Sequence, residues 1–313
     1  MPNQASNGEQ RTFPGPIRDL VSAIAALNPF QENHVLERLK SFDATEEALL
    51  AKYLDTLAQT GVSAQELGHA YATVCDDTLR EQVYFKRKKR YRYSSYDEVA
   101  DFVYQNPEYM RKYMLGLGLT VHLWENHASM FSLFTDTLPA TARGAYLEIG
   151  PGHGKFLRHA IEHTAYDLFT ALDLSQSSLD ITASMCREQA ASFPVEIQYI
   201  LQDFLTWNPS RRYAAAVMGE VLEHVEEPDS LLRKLHSCVD EDAYVYLTTC
   251  VNAPAIDHIH HFQTVAQVES LLSETGFAIV TPLRLPKYAA TVEEAERDWQ
   301  PINVAYVLKP VQS

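Results

Sequence analysis

Over the first 140 residues, apolar positions recur at helical spacing and β-branched runs are absent. The spacing predicts amphipathic helices over 17–27, 34–42, 46–57 and 64–83. Asp43 or Thr45 is placed to cap the third, and Gly61 to close it. Ser94 or Ser95 with Glu98 has capping-box spacing and opens a further helix through Tyr104. Pro107 falls in the first turn of a long helical stretch, 108–134, where its missing N–H costs little. After Pro139 the period changes. Short apolar runs at 145–149, 168–172, 196–200, 214–218, 243–248, 277–283 and 303–308 read as strands. Helical patterns at 155–163, 177–190, 229–239 and 265–275 lie between them. Such alternation predicts a doubly wound α/β fold: a seven-stranded, mainly parallel sheet preceded by an all-helical region. The expected division is a tail at 1–12, a helical domain at 13–140 and the sheet domain at 141–313.

Length and composition add bounds. A chain of 313 residues, 46% hydrophobic, can bury one large core and a smaller one. A formal net charge of −15 sets it against phosphate backbones and anionic lipid, so neither nucleic acid nor a membrane surface is the expected partner. Cys75, Cys186, Cys238 and Cys250 are scattered with no CxxC pair, which suggests reduced thiols rather than disulfides or a thiolate zinc site. The N-terminus lacks the basic flank and apolar run of a signal peptide, and no stretch approaches ~18–20 apolar residues. The expectation is a cytoplasmic protein, with a homodimer as the candidate assembly.

The chemistry concentrates where strands end. The first strand runs into Glu148-Ile149-Gly150-Pro151-Gly152-His153-Gly154. Gly150, Gly152 and Gly154 let the backbone turn tightly and approach a ligand that a Cβ would obstruct. The helix beyond offers free N–H groups to a carboxylate. The spacing is GxGxG; where a dinucleotide site has its third glycine stands Lys155. The second strand ends at Asp173-Leu174, where a carboxylate can accept both hydroxyls of a ribose, or can merely cap the next helix. The third runs into Gln202-Asp203-Phe204, an amide and an acid for an adenine edge and an aromatic for its face. The fourth runs into Gly219-Glu220-Val221-Leu222-Glu223-His224.

In that order these motifs resemble the class I S-adenosylmethionine (SAM)-dependent methyltransferases, over about 141–310. The resemblance implies a Rossmann-like SAM-binding fold. It implies Glu148 toward the methionyl amine, Gly150, Gly152 and Gly154 along the sulfonium region, Asp173 on the ribose and Asp203 on the adenine amino group. Residues from Gly219 and Glu220 to His224 would face the transferred group. The fourth-strand motif lacks the Asn-Pro-Pro-Tyr signature of nucleobase and glutamine methylation and looks like the small-molecule version. His224 is a candidate general base, since imidazole titrates near neutrality, and Glu220 is grouped with it. His261 is the alternative base.

Asp257, His258, His260 and His261 crowd the segment after the fifth strand. Certain 2-oxo-acid C-methyltransferases of this fold bind a metal through histidines. Adjacent residues rarely converge on one ion, however, so no metal is expected here. The expectation is one histidine toward substrate, another capping the next helix and the rest in water. The basic run 86–93 reads as a solvated helix end, or as a clamp for an anionic substrate. In many small-molecule members of the family the helices before the first strand form a lid. On that likeness, Tyr113, Trp124, Asn126 and His127 are the expected substrate-facing residues.

The leading expectation is therefore methyl transfer to a small metabolite, as in secondary metabolism. The alternative is a SAM-consuming enzyme of the same fold that does not methylate, such as a cyclase yielding azetidine-2-carboxylate and methylthioadenosine. A non-catalytic SAM-binding protein is the third reading.

Overall fold

The computed structural model describes residues 12–193 and 195–311. Of the expected tail, all but Thr12 lies outside the described residues.

Four helices open the chain: α1 (Gly15–Leu27), α2 (Pro29–Lys40), α3 (Ala44–Gln59) and α4 (Ala64–Lys88). Helix α2 begins earlier than apolar spacing alone indicated, because the Asn28 side chain accepts from the backbone N–H groups of Phe30 and Gln31, with Pro29 at the first position. Asp43 and Glu46 make the capping box that starts α3. Helix α4 ends inside the basic run at Lys88, with Lys89 left-handed; residues 86–90 are exposed and Tyr91 is buried. Ser95 and Glu98 form the expected capping box for α5 (Tyr96–Ala100), but regular helix stops there and turns carry the chain to Tyr104.

The single helix expected over 108–134 is two, α6 (Pro107–Leu123) and α7 (Glu125–Thr137), with Trp124 extended between them. The break redirects the chain. Helix α6 packs with α1–α4 around Leu20, Leu50, Leu67, Leu115 and Leu119. Helix α7 instead lies against the sheet, where the Asn126 amide donates to the Leu285 carbonyl and to Asn303 Oδ1, both at 3.2 Å. The Trp124 indole N–H donates to Tyr71 Oη on α4, which anchors the corner.

The remaining elements alternate: β1 (Ala145–Ile149), α8 (Lys155–His163), β2 (Leu168–Asp173), α9 (Gln176–Ser192), β3 (Glu196–Leu201), β4 (Tyr213–Gly219), α10 (Pro228–Cys238), β5 (Val239–Val251), α11 (Val265–Glu274), β6 (Phe277–Pro286), α12 (Val292–Arg297) and β7 (Ile302–Pro310). Helix α12 had no forecast in the sequence, since six residues are too few for a periodic face. The seven strands form one sheet in the order β3-β2-β1-β4-β5-β7-β6. All pairings are parallel except β5–β7 and β6–β7.

Alternation assigns the faces. Ala145, Leu147 and Ile149 enter the core beneath α10 and α11, while Tyr146 enters the core beneath α7, α8 and α9. Every β1 residue is buried, as a central parallel strand covered on both sides requires. A smaller cluster joins the helical layer to the sheet's C-terminal edge: Val74, Met110 and Met114 meet Ile181 of α9 and Ile256 and Ile259 of the loop after β5. Among the described residues no helix is long and apolar enough to cross a membrane.

Candidate active site

Strand β1 pairs with β2 on one side and β4 on the other, so the strand order reverses there. Crossovers leave in opposite directions at such a point and open a crevice beyond the C-terminal strand ends. Here the crevice is roofed by α4, α5 and α6 and becomes one cavity of about 670 Å³. Glycine makes its floor. Gly150, Gly152 and Gly154 have φ of 64°, 52° and 72°, the left-handed region that L side chains avoid. A Cβ on Gly150 would come 2.8 Å from Val221 Cγ2, and one on Gly152 would come 3.1 Å from Met114 Sδ of the roof.

Glu148 points from the last turn of β1 into a buried setting, 2% exposed. Tyr146 Oη donates to its Oε2 at 2.8 Å, and the backbone of Leu157 in the first turn of α8 also holds it. Burial pushes the carboxyl up to about 8, and these two hydrogen bonds offset only part of that. The group lines the cavity and, among the described residues, has no lysine or arginine partner.

Asp173 has the capping arrangement that sequence left open beside ligand binding. Ser178 Oγ donates to Oδ2 at 2.6 Å and the Ser175 N–H to Oδ1 at 2.8 Å, so the carboxylate starts α9. It also lines the cavity. Burial raises it, against donors that include the backbone of Leu174 and Gly152. Asp203 turns its own loop through the Leu205 N–H at 2.9 Å and likewise faces the cavity. Leu174, Gln202 and Phe204 complete that end, Phe204 against Trp207 in the core. Tyr96, stacked on Tyr104 with centroids 5.4 Å apart, roofs this end; burial first, and then the charges of Asp173, Asp97 and Asp203, raise its phenol. Its backbone N–H donates to Glu226 Oε1 at 2.8 Å, which ties α5 to the segment after β4.

The other end is polar and tightly wired. Asp257, 1% exposed, accepts from Tyr113 Oη at 2.9 Å and Tyr104 Oη at 3.1 Å. His224 Nδ1 lies 3.5 Å from Asp257 Oδ2 and 3.1 Å from the Asp257 carbonyl oxygen. His258 sits edge-on to His224, centroids 4.9 Å apart, and burial lowers it to about 3, so it is neutral at physiological pH. Glu220 leaves β4 with φ 52° and has a buried Oε1 without a hydrogen-bond partner. Glu223 is fully buried; burial first and the Glu220 charge second hold it well above the usual carboxylate range.

All but one of the nominated cofactor residues line the cavity: Glu148, Gly150, Gly152, Asp173, Leu174, Gln202, Asp203, Phe204, Gly219 and Glu220; Gly154 lies outside that lining and closes the turn through its N–H to the Pro151 carbonyl. Tyr113, Trp124, Asn126, His127 and His224 line it too. His127 is neutral, lowered to about 3 by burial, and pairs with Thr120 Oγ1. His261 stands elsewhere. It packs against Tyr91, Phe85 and Trp299, with Nε2 2.8 Å from Asn252 Oδ1. In the histidine segment Thr264, not a histidine, caps α11, while His258 is buried at the cavity wall, the place expected of one of the histidines. Sequence reading missed Tyr104 as a contributor and gave Asp257 no tie to His224. Both Tyr104 and Asp257 lie outside regular elements, and nothing local marks either as facing the other.

The family model described as "Methyltransferase domain" matches residues 125–281, just over half the chain. No curated protein sequence matches. Among solved structures, phosphoethanolamine N-methyltransferase 2 of Haemonchus contortus in complex with S-adenosyl-L-methionine is similar at TM-score 0.50 and 12% identity. The match covers 70% of this chain and 60% of that one. The [4+2]-cyclase SpnF (TM-score 0.47, 18% identity, 59% and 82% covered) and the cyclopropane synthase MmaA2 of Mycobacterium tuberculosis (0.47, 15%, 60% and 85%) also match. At these identities the likeness is one of fold, the Rossmann-like sheet with helices on both faces.

Proposed function

Since the chain belongs to the methyltransferase-domain family, we propose that it transfers the methyl group of SAM to a small metabolite held beneath the helical lid. The observation that carries this is continuity: one cavity runs from the glycine turn and the strand-end acids to the Tyr104–Asp257–His224 cluster. Its volume of about 670 Å³ falls inside the usual range for small-molecule sites.

The residues present fit the cofactor. Glu148 is a buried carboxyl without a cation, suited to the methionyl ammonium, and the left-handed glycines form a cradle that a Cβ would fill. Asp173 would take the ribose with the lone pairs its capping bonds leave free, and Asp203 and Phe204 the adenine. Bound SAM supplies a methyl carbon already activated by the adjoining sulfonium. The chain's part is then alignment and exclusion of water. Tyr104, Tyr113, Trp124, Asn126 and His127, on helices 13–140 and the turns between them, close over domain 141–313 and select the acceptor. Aromatic walls can face a sulfonium without a counter-ion. Of the two histidines nominated for proton handling, only His224 reaches the cavity, and Asp257 orients its Nδ1 side. The net charge of −15 favours a metabolite over nucleic acid.

Incubating the purified protein with SAM and a metabolite panel tests this. S-adenosylhomocysteine formed only with an acceptor is expected. Methylthioadenosine formed from SAM alone would replace methyl transfer with cyclisation, and tight binding without product would leave a non-catalytic binder.

A further inference from the structure

The polar end of the cavity holds more acid and imidazole than methyl transfer to a small molecule requires. Glu220, Glu223 and His224 come from the segment after β4, and His258 from the loop after β5. Both strands end in a non-glycine residue with left-handed backbone, Glu220 and Asn252, each at φ 52°. Such a conformation costs about 1–2 kcal/mol per residue and persists only where surroundings impose it. Here the two turns bring the segments face to face. The Glu223 carbonyl accepts from the N–H groups of Ile259 (2.9 Å) and His260 (3.0 Å), which pins His258 to the turn that carries Glu223 and His224.

We propose that Glu223, His224 and His258 form a binding site for one divalent transition-metal ion at the acceptor end of the cavity. One donor atom from each of Glu223, His224 and His258 lies within 4.8 Å of the other two, and Glu220 and Glu223 share a second such group with Cys250. The imidazoles are prepared for it. His258 Nδ1 faces the Ala253 carbonyl at 2.7 Å and His224 Nδ1 faces the Asp257 carbonyl at 3.1 Å. A carbonyl can only accept, so each ring carries a proton on Nδ1, and Nε2 is the nitrogen left to bind an ion. This is the outer-shell pattern that orients metal-binding histidines. The carboxyl groups of Glu220 and Glu223 lie within hydrogen-bond reach of each other, and an ion on Glu223 would replace the proton they can share. Glu220 Oε1 is buried without a partner, and Glu223 is held by Thr249 Oγ1 at 2.7 Å and the more distant Cys250 thiol. Among the described residues no lysine or arginine forms an ion pair with either glutamate.

Two imidazole nitrogens with carboxylate oxygens suit Mn²⁺, Fe²⁺, Co²⁺ or Zn²⁺ better than the all-oxygen cations or thiolate-seeking Cu⁺. His224 and His258 line the cavity and Glu223 lies behind them, so an ion held there would have its open positions toward the acceptor. The acceptor class this implies carries a hydroxyl or carbonyl oxygen beside the methylated atom. With its Nε2 on the ion, His224 is a ligand and takes no proton.

The full-length protein, stripped with chelator and desalted, is titrated with Mn²⁺ by calorimetry and with Co²⁺ by visible absorption. One ion per chain is expected, with d–d bands of a nitrogen–oxygen site. Glu223→Gln and His258→Gln should each weaken Mn²⁺ at least tenfold, whereas His260→Asn should not. Thermal unfolding of each variant identifies any that fails to fold, and the titration of the unaltered chain is decisive alone. Absence of saturable binding by the folded, unaltered protein, or unchanged affinity in both folded glutamine variants, overturns the site. SAM affinity measured on the same stripped sample separates this from the cofactor reading, because it should persist whether or not an ion binds.

Discussion

Replacing Gly152 by valine tests the cradle directly. At φ 52° an L residue carries a penalty of about 1–2 kcal/mol. The new Cβ would lie 3.1 Å from Met114 Sδ, the movable end of a flexible side chain, so alanine should cost little beyond the backbone term. Valine adds two methyl groups, one of which must enter the cavity or press on α6, and overpacking of this kind costs about 1–3 kcal/mol. Together these remain below the stability of an ordinary domain, about 5–15 kcal/mol, so the variant should fold with a reduced melting temperature. If the overpacking falls on cofactor seating, the same 1–3 kcal/mol weakens SAM about 5- to 150-fold. Calorimetric titration with SAM, paired with thermal unfolding, reads both quantities, with Gly152→Ala as the intermediate case. A folded valine variant that binds SAM as tightly as the unaltered protein would refute the placement of the ligand over this turn.

Three further outcomes follow from the geometry. Glu148, raised from 4.5 to about 8, is protonated in the folded chain and ionised in the unfolded chain between those values, so its contribution to stability falls as pH rises through that window and levels above 8. Glu148→Gln should remove that slope from the pH dependence of thermal unfolding, and SAM affinity in the unaltered protein should rise over the same range, because an ammonium favours the carboxylate. Asp257→Asn turns an amide N–H₂ toward one of the two tyrosine hydroxyls that now donate to the carboxylate; loss of about 1–3 kcal/mol in unfolding and of turnover is expected, with SAM affinity kept within a fewfold. Glu226→Ala frees the Tyr96 N–H, so hydrogen exchange across 94–105 should quicken about fivefold or more while the rest of the chain keeps its protection.

Much of this was legible locally. The strand at 145–149 and the helix at 155–163 coincide with the observed β1 and α8, because a short apolar run and helical apolar spacing are properties of neighbouring residues. Gly150, Gly152 and Gly154 could be nominated because no other residue tolerates such turns cheaply. Trp124 could not be read as a break, since α6 and α7 are both amphipathic and only their different partners, α4 for one and the sheet for the other, force the corner. His261 and His224 were equal candidates in one dimension. Packing separated them, sending His261 among Phe85, Tyr91 and Trp299 and His224 to the cavity wall.

The chain's order of residues therefore determined which of the longer segments are strands or helical and which turns come close to a ligand, all matters of spacing within a few residues, but neither the short α12 nor the break at Trp124. The tertiary structure alone decided that Tyr104, Tyr113, His224 and Asp257 share one network and that Glu223 meets His258. Such meetings depend on how the crossovers set β4 beside β5 and on the angle at which the lid helices cross the sheet, and long-range packing, not local propensity, sets both.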